Sequence, residues 1–202
     1  MSAPLSFTAP VTLAGPHARL EPLSPTHEPA LAEAAADGAL DRLWYTSVPA
    51  PERMGAEIAR RLALRDAGSM NPFTVFDATG RAAGMTTFMH IDAVNRRVEI
   101  GSTWTRASCQ RSGLNTQCKL LLLRHAFETL DCIAVEFRTH RLNTQSRRAI
   151  ERLGAQLDGI LRSHLRMPDG TLRDTAVYSI TAAEWPTIQT HLQWQLDKPR
   201  SA

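Results

Sequence analysis

Apolar and polar positions change period several times along the chain, and each change predicts an element. Residues 11–23 (VTLAGPHARLEPL) alternate around Gly15-Pro16, which predicts a short strand, a break and a second strand piece. Ser24 then offers an N-cap, Pro25 a first helical position, Leu31 and Ala34 to Ala36 helix formers, and Gly38 a stop. Residues 39–50 hold the adjacent aromatics Trp44 and Tyr45 and run into Pro49-Ala50-Pro51. Met54, Ile58 and Leu62 follow at a spacing of four, one apolar stripe that predicts a second helix over about 51–67.

From Asn71 the period is two. Residues 71–78, 81–92 and 95–104 read as three antiparallel strands, separated by Ala78-Thr79-Gly80 and by Asp92 to Asn95. A short polar loop leads into a leucine-rich helix over 114–130, and 132–139 has the length and β-branching of another strand. Asn143 caps a helix over 144–153 that stops at Gly154-Ala155. Residues 157–167 and 171–180 form a long hairpin around Met167-Pro168-Asp169-Gly170, and an amphipathic helix is expected at about 182–196, with Pro186 near its first turn. Three antiparallel strands ahead of a strand-helix-strand unit require a mixed sheet with helices on both faces, an α/β (α+β) domain spanning residues 1–202.

Composition narrows the classes. At 202 residues with 43% hydrophobic and 21% charged side chains, the chain can build a sizeable core, and wholesale disorder, collagen and coiled coil are excluded. Cys109, Cys118 and Cys132 form no CxxC pair, and no His-x-His accompanies them, so neither a disulfide framework nor a metal site is expected. A reducing cytoplasm suits that pattern. No stretch of 18 apolar residues and no signal-peptide pattern is present, so neither membrane insertion nor secretion is expected. All but two of the 23 Lys and Arg residues are arginine, the exceptions being Lys119 and Lys198. Between Arg138 and Arg173 eight arginines meet only Glu151, Asp158 and Asp169, which points to an anionic partner. Nucleic acid is disfavoured, because aromatics are only 6% and no base-stacking motif accompanies the arginines.

The segment richest in chemistry is the strand at 95–104 followed by Gln110-Arg111-Ser112-Gly113-Leu114-Asn115 and a helix. Backbone N–H groups of a glycine-containing loop that opens a helix converge on one spot, where the helix dipole adds partial positive charge. Such a loop can cradle a pyrophosphate, with Arg106 and Arg111 reinforcing it; a plain helix start with one turn glycine would look the same.

Order and context favour the first reading. The chain resembles the GNAT superfamily of acyl-CoA-dependent N-acyltransferases, whose phosphate loop has the form (Gln/Arg)-x-x-Gly-x-(Gly/Ala) between that family's fourth strand and third helix. Here it reads Gln110-x-x-Gly113-x-Asn115, with asparagine replacing the final small residue. EIGSTW (99–104), KLLLLRHAFETL (119–130), RLNTQSRRAIERLGA (141–155) and the later TAVYSI are similar to the branch containing the ribosomal-protein serine/alanine N-acetyltransferases, and the resemblance spans roughly residues 11–185.

It implies a GNAT fold of about seven mostly antiparallel strands, splayed between the fourth and fifth. It implies acetyl-CoA, or another short acyl-CoA such as succinyl-CoA, as co-substrate, and a small-molecule amine or a protein N-terminus as acceptor. Backbone at Thr103, Trp104 and Thr105 would meet the pantetheine arm, and Arg106, Gln110, Arg111, Ser112, Gly113, Leu114, Asn115 and Thr116 the phosphates. Asn143 and Arg148 would add contacts from the following helix. Glu99 is the candidate base and Ser146 the candidate proton donor to the departing thiolate; Tyr178 is a second acid candidate whose alternation with Ala176 and Ile180 reads as core. Trp44, Tyr45, His90, Arg162, His164 and Arg173 would surround the acceptor. Either a monomer or a homodimer is compatible with this, and a CoA-binding sensor without turnover is the alternative.

Overall fold

The computed structural model describes residues 6–46 and 48–198. Its strands are β1 (Leu13–Ala14), β2 (Ala18–Pro22), β3 (Met70–Asp77), β4 (Ala82–Asp92), β5 (Arg97–Thr105), β6 (Ala134–His140), β7 (Gln156–Arg166) and β8 (Leu172–Thr181). Its α-helices are α1 (Glu28–Ala36), α2 (Met54–Asp66), α3 (Leu114–Arg124), α4 (Thr144–Glu151) and α5 (Trp185–Asp197). One sheet holds all eight strands in the order β1-β2-β3-β4-β5-β6-β8-β7, antiparallel except where β5 meets β6. The expected seven strands become eight because the strand piece before Gly15-Pro16 pairs as the two-residue β1.

Local chemistry explains the element ends. Ser24 accepts the Thr26 N–H and caps a single turn, Pro25–His27, that feeds α1, while Pro51–Arg53 leads in the same way into α2. Asn143 accepts the Ser146 N–H at 3.0 Å and starts α4. The last helix begins at Trp185, three residues later than expected, because Glu184 takes the Thr181 N–H and hydroxyl and holds the intervening residues in a turn.

Two apolar layers flank the sheet. On one face Leu120, Leu122 and Leu123 of α3 and Leu192 of α5 pack on Phe73, Phe88, Val98, Val135, Phe137 and Ile180. On the other, Leu31 of α1 and Met54 and Ile58 of α2 pack on Ala82, Met85 and Trp104. Truncating any one of the fully buried leucines to alanine should cost about 2–5 kcal/mol. The second layer sits over β3 and β4. Outward side chains of β6 and β8, among them Glu136, Arg138 and Arg173, are only half-buried on that face.

Candidate active site

The sheet opens between β5 and β6. Their parallel pairing covers only Arg97 to Glu99 against Ala134 to Glu136. On its other edge β5 carries a bulge: Thr87 faces Gly101 and Met85 faces Trp104, so Ser102 and Thr103 share Thr86. Ser102 takes a left-handed φ of 48°, and a bulge of this kind turns a strand away from its neighbour. Gly84 of β4 allows the close approach on that edge, since a Cβ there would collide with the Trp104 carbonyl oxygen.

Two buried cations hold the bulge from opposite faces, and sequence reasoning placed neither of them in the site. Arg61, 1% exposed, donates to the Ser102 hydroxyl at 2.8 Å and to the Ser102 carbonyl at 3.3 Å. Its remaining donors go to Thr87 Oγ1 and Glu57. From the α3 side Lys119, 6% exposed, donates to Thr103 Oγ1 at 2.9 Å, and burial brings its pKa down to about 8. A signal for each was present: Arg61 continues the Met54-Ile58 stripe at i+3, and Lys119 precedes four leucines in a helix read as buried.

Beyond β5 the loop is braced by side chains expected to hold phosphate. Arg106 is 7% exposed, with Nε on Asp37 at 2.9 Å and further contacts to Glu33 and the Ala82 carbonyl. It ties β5 to the end of α1, with its guanidinium engaged by carboxylates where a phosphate is expected. Ser108 and then Arg106 donate to Asp37 and hold its carboxyl below the usual range. Gln110 spends its amide on the Thr105 carbonyl at 3.0 Å. Ser112 accepts the Leu114 N–H and donates to the Cys109 carbonyl. The left-handed position is Arg111, φ 57°, while Gly113 has φ −71°. Arg111 is exposed, and α3 has no acidic residue in its first turn, so its first N–H groups meet no competing carboxylate. Leu114 and Trp104 belong to the two apolar layers, which leaves only their backbone for a cofactor. Thr116 is buried and accepts from Arg152, whereas Asn115 is half-buried on the first turn.

The uncovered part of the sheet carries the ionisable groups. Glu99 is 5% exposed, and its Oε2 receives His90 Nδ1 at 2.8 Å and lies 3.5 Å from Arg138 Nε. The carboxylate of Glu99, the candidate base, is enclosed, and His90, with 61% of its side chain exposed, is presented in front of it. His90 sits in a second bulge with φ 47°, a conformation that a non-glycine residue adopts at some cost. The bond to Glu99 raises the His90 pKa. Arg97 pairs with Glu136, not with Glu99. Trp44, 55% exposed, lies edge-on to the buried ring of His140 at 5.2 Å and beside Tyr45 at 5.6 Å. That places the α1–α2 loop at the rim of this face. Arg173 Nε and His164 Nδ1 both contact Thr175 Oγ1, each at 3.1 Å. Arg162 points away to Asp174 with most of its side chain in solvent.

Past the end of β6, α4 places Ser146 half-buried and Arg148 exposed in its first turns, and the Asn143 Oδ1 is spent on the cap. Tyr178 is fully buried, with its hydroxyl between Arg147 and Glu151, and burial raises its pKa. It is core, as its alternation suggested. No group of three metal-ligating side chains occurs among the described residues, and none of their helices is long and apolar enough to cross a membrane.

Comparison with known proteins decides the family. The Acetyltransferase (GNAT) domain family matches residues 17–156. The chain belongs to the GNAT acetyltransferases. It is 32% identical over 106 residues to a Bacillus subtilis (strain 168) protein named "Putative ribosomal N-acetyltransferase YdaF", a match covering 52% of this chain. The chain spans just over half, 57%, of that relative's length. A GCN5-related N-acetyltransferase from Brucella melitensis superposes with a TM-score of 0.83 at 29% identity, over 92% of this chain and 85% of that one. Mycobacterium smegmatis RimJ, solved in complex with CoA-disulfide, shares the fold with a TM-score of 0.78 at 21% identity, covering 94% and 96% of the two chains.

Proposed function

We propose that the chain transfers an acetyl group from acetyl-CoA to a primary amine, with His90 as the proton acceptor and Glu99 as the carboxylate that orients it. The observation that carries this reading is the bond from an exposed imidazole to a buried carboxylate at the mouth of the β5–β6 opening. A carboxylate on Nδ1–H fixes the tautomer and leaves the Nε2 lone pair facing the open side. An α-amino group has a reference pKa near 7.7–8.0, so a proton must leave before it attacks.

Acetyl-CoA supplies the activated carbonyl. The amine nitrogen bonds to that carbon, the C–S bond breaks, and one amine proton passes to His90 Nε2. The departing thiolate takes a proton, for which Ser146 is the candidate relay, its hydroxyl proton being replaced from solvent as it is given up. A β5 backbone N–H beside the bulge would stabilise the charge on the carbonyl oxygen. The first turn of α3 and the exposed Arg111 suit a pyrophosphate, and the opening along Thr103 to Thr105 suits the pantetheine arm. Asn143 and Arg148 would add contacts from α4. The names of the relatives favour a protein N-terminus as acceptor, and the rim at the exposed Trp44 and half-buried Tyr45 leaves room for one; a small-molecule amine would use the same groups.

The test is mass spectrometry of amines and short peptides incubated with acetyl-CoA, alongside thiol release. An acetylated product and stoichiometric CoA are expected. Tight CoA binding with no thiol release for any amine would leave the CoA-sensor reading, for which Asn115 in the phosphate loop is the supporting feature.

A further inference from the structure

The open face of β6 and β8 carries more arginine than carboxylate, and most of that charge is already answered. Arg97 pairs with Glu136, Arg138 with Glu136 and Glu99, and Arg141 and Arg162 with Asp174. Arg173 differs. It is half-buried, its hydrogen bond runs to the neutral Thr175 hydroxyl, and no carboxylate lies within 4.0 Å of it among the described residues.

Its surroundings keep it that way. Glu99 acts on the Arg173 guanidinium from across the face but does not outweigh burial, which lowers the Arg173 pKa. Beside it, His140 Nδ1 accepts the Leu142 N–H at 3.0 Å, and burial followed by the nearby Arg173 lowers the His140 pKa. A half-buried guanidinium with no carboxylate in contact has donors free for an arriving anion, and a carboxylate is the shape its planar fork matches.

We propose that Arg173 is the seat for a carboxylate on the acceptor, so that the enzyme favours amines bearing an acidic group over their neutral counterparts. The inference rests on the acyl-transfer reading above. The seat lies on the same open face as Glu99, on β8 near His140 and Trp44 and across the β5–β6 opening from His90, so an acceptor anchored there has its amine directed toward that opening. Two sources share this chemistry: a small amino acid, and a peptide with an acidic side chain next to its N-terminal residue.

Matched probes test it on the full-length enzyme. γ-Aminobutyrate is set against n-butylamine, and the peptide amide Ser-Glu-Ala-Ala against Ser-Gln-Ala-Ala. The carboxylate member of at least one pair should have a kcat/KM at least about ten-fold higher, the pair that responds identifying the source. Arg173→Gln should erase that preference, and Arg173→Lys should restore part of it. Equal kcat/KM within both pairs of the wild-type enzyme, or a preference that survives Arg173→Gln, would overturn the proposal, and the first comparison needs no variant to fold. A ten-fold preference for succinyl-CoA over butyryl-CoA that Arg173→Gln removes would also overturn it, by assigning the seat to the acyl chain. Should no amine be turned over, the acyl-transfer reading fails. The seat is then judged by calorimetry of γ-aminobutyrate against n-butylamine on the CoA-loaded protein, where equal binding sinks it.

Discussion

One face of one sheet is used in two ways. Over β3, β4 and the end of β5 it is covered by α1 and α2, its outward residues Ala82, Met85 and Trp104 are apolar and buried, and its cation Arg61 has its donors taken by Glu57, Thr87 and Ser102. Over β6 and β8 the outward residues are Glu136, Arg138 and Arg173, half-buried, with Glu99 enclosed between them and the exposed His90. The boundary is the β5 bulge. On the covered half charge is enclosed and saturated, so it fixes geometry. On the open half buried charge stands directly behind groups that solvent and an incoming molecule can reach, an arrangement suited to moving a proton.

The largest expected effect lies on the open half. Replacing His90 with Gln removes the proposed proton acceptor and should lower kcat by about 10²- to 10⁴-fold, with CoA affinity by calorimetry nearly unchanged. Glu99→Gln should also lower kcat, because the tautomer is no longer held. A silent His90→Gln beside an inactive Glu99→Gln would return the base to the carboxylate and reduce His90 to a cover for it.

On the covered half the next effect falls on stability. Arg61→Met leaves Glu57 without one partner and frees the Ser102 carbonyl, and breaking a buried pair costs about 3–5 kcal/mol. Urea unfolding measures it. A loss below about 1 kcal/mol would mean that the bulge does not depend on α2 and that the contrast between the halves is overstated. Gly84→Ala is smaller: its φ of 151° and the Trp104 carbonyl in the way should cost about 1–3 kcal/mol, seen in the same measurement.

How much of this could be read from the sequence follows from the same contrast. Period-two runs located the main strands, and Ser24, Asn143 and Gly38 marked helix ends, because alternation and capping are local. The two halves look alike in sequence: strand residues alternate on both, and nothing in MHID or EIGSTW announces a left-handed His90 or Ser102. Arg106 was legible as a basic residue ahead of a phosphate loop, but its partner Asp37 lies 69 positions earlier and only the fold brings them together. Glu99 was legible as a carboxylate near the opening; that it stands behind His90 depends on the β4 bulge. Arg61 and Lys119 looked like ordinary charges on helices until burial was visible.

The smallest effect separates the two halves by pH. His90 has a pKa raised first of all by its bond to Glu99, with burial and Arg138 opposing and Glu136 adding to the rise. Because the folded pKa lies above the unfolded value of about 6.5, the pair's stabilisation is complete below that value and is lost as pH rises through the folded pKa. The imidazole is well exposed, so the amount should be no more than about 1 kcal/mol. Catalysis runs the other way, since only the unprotonated Nε2 accepts a proton, and kcat/KM should climb over the window in which this stabilisation fades. Urea unfolding of wild type and His90→Gln at pH 5.5 and 8.5 isolates the first, and a kcat/KM profile the second. A wild-type advantage in stability that grows with pH would mean the pair is held with His90 neutral. The rising limb of activity would then have to come from the amine alone.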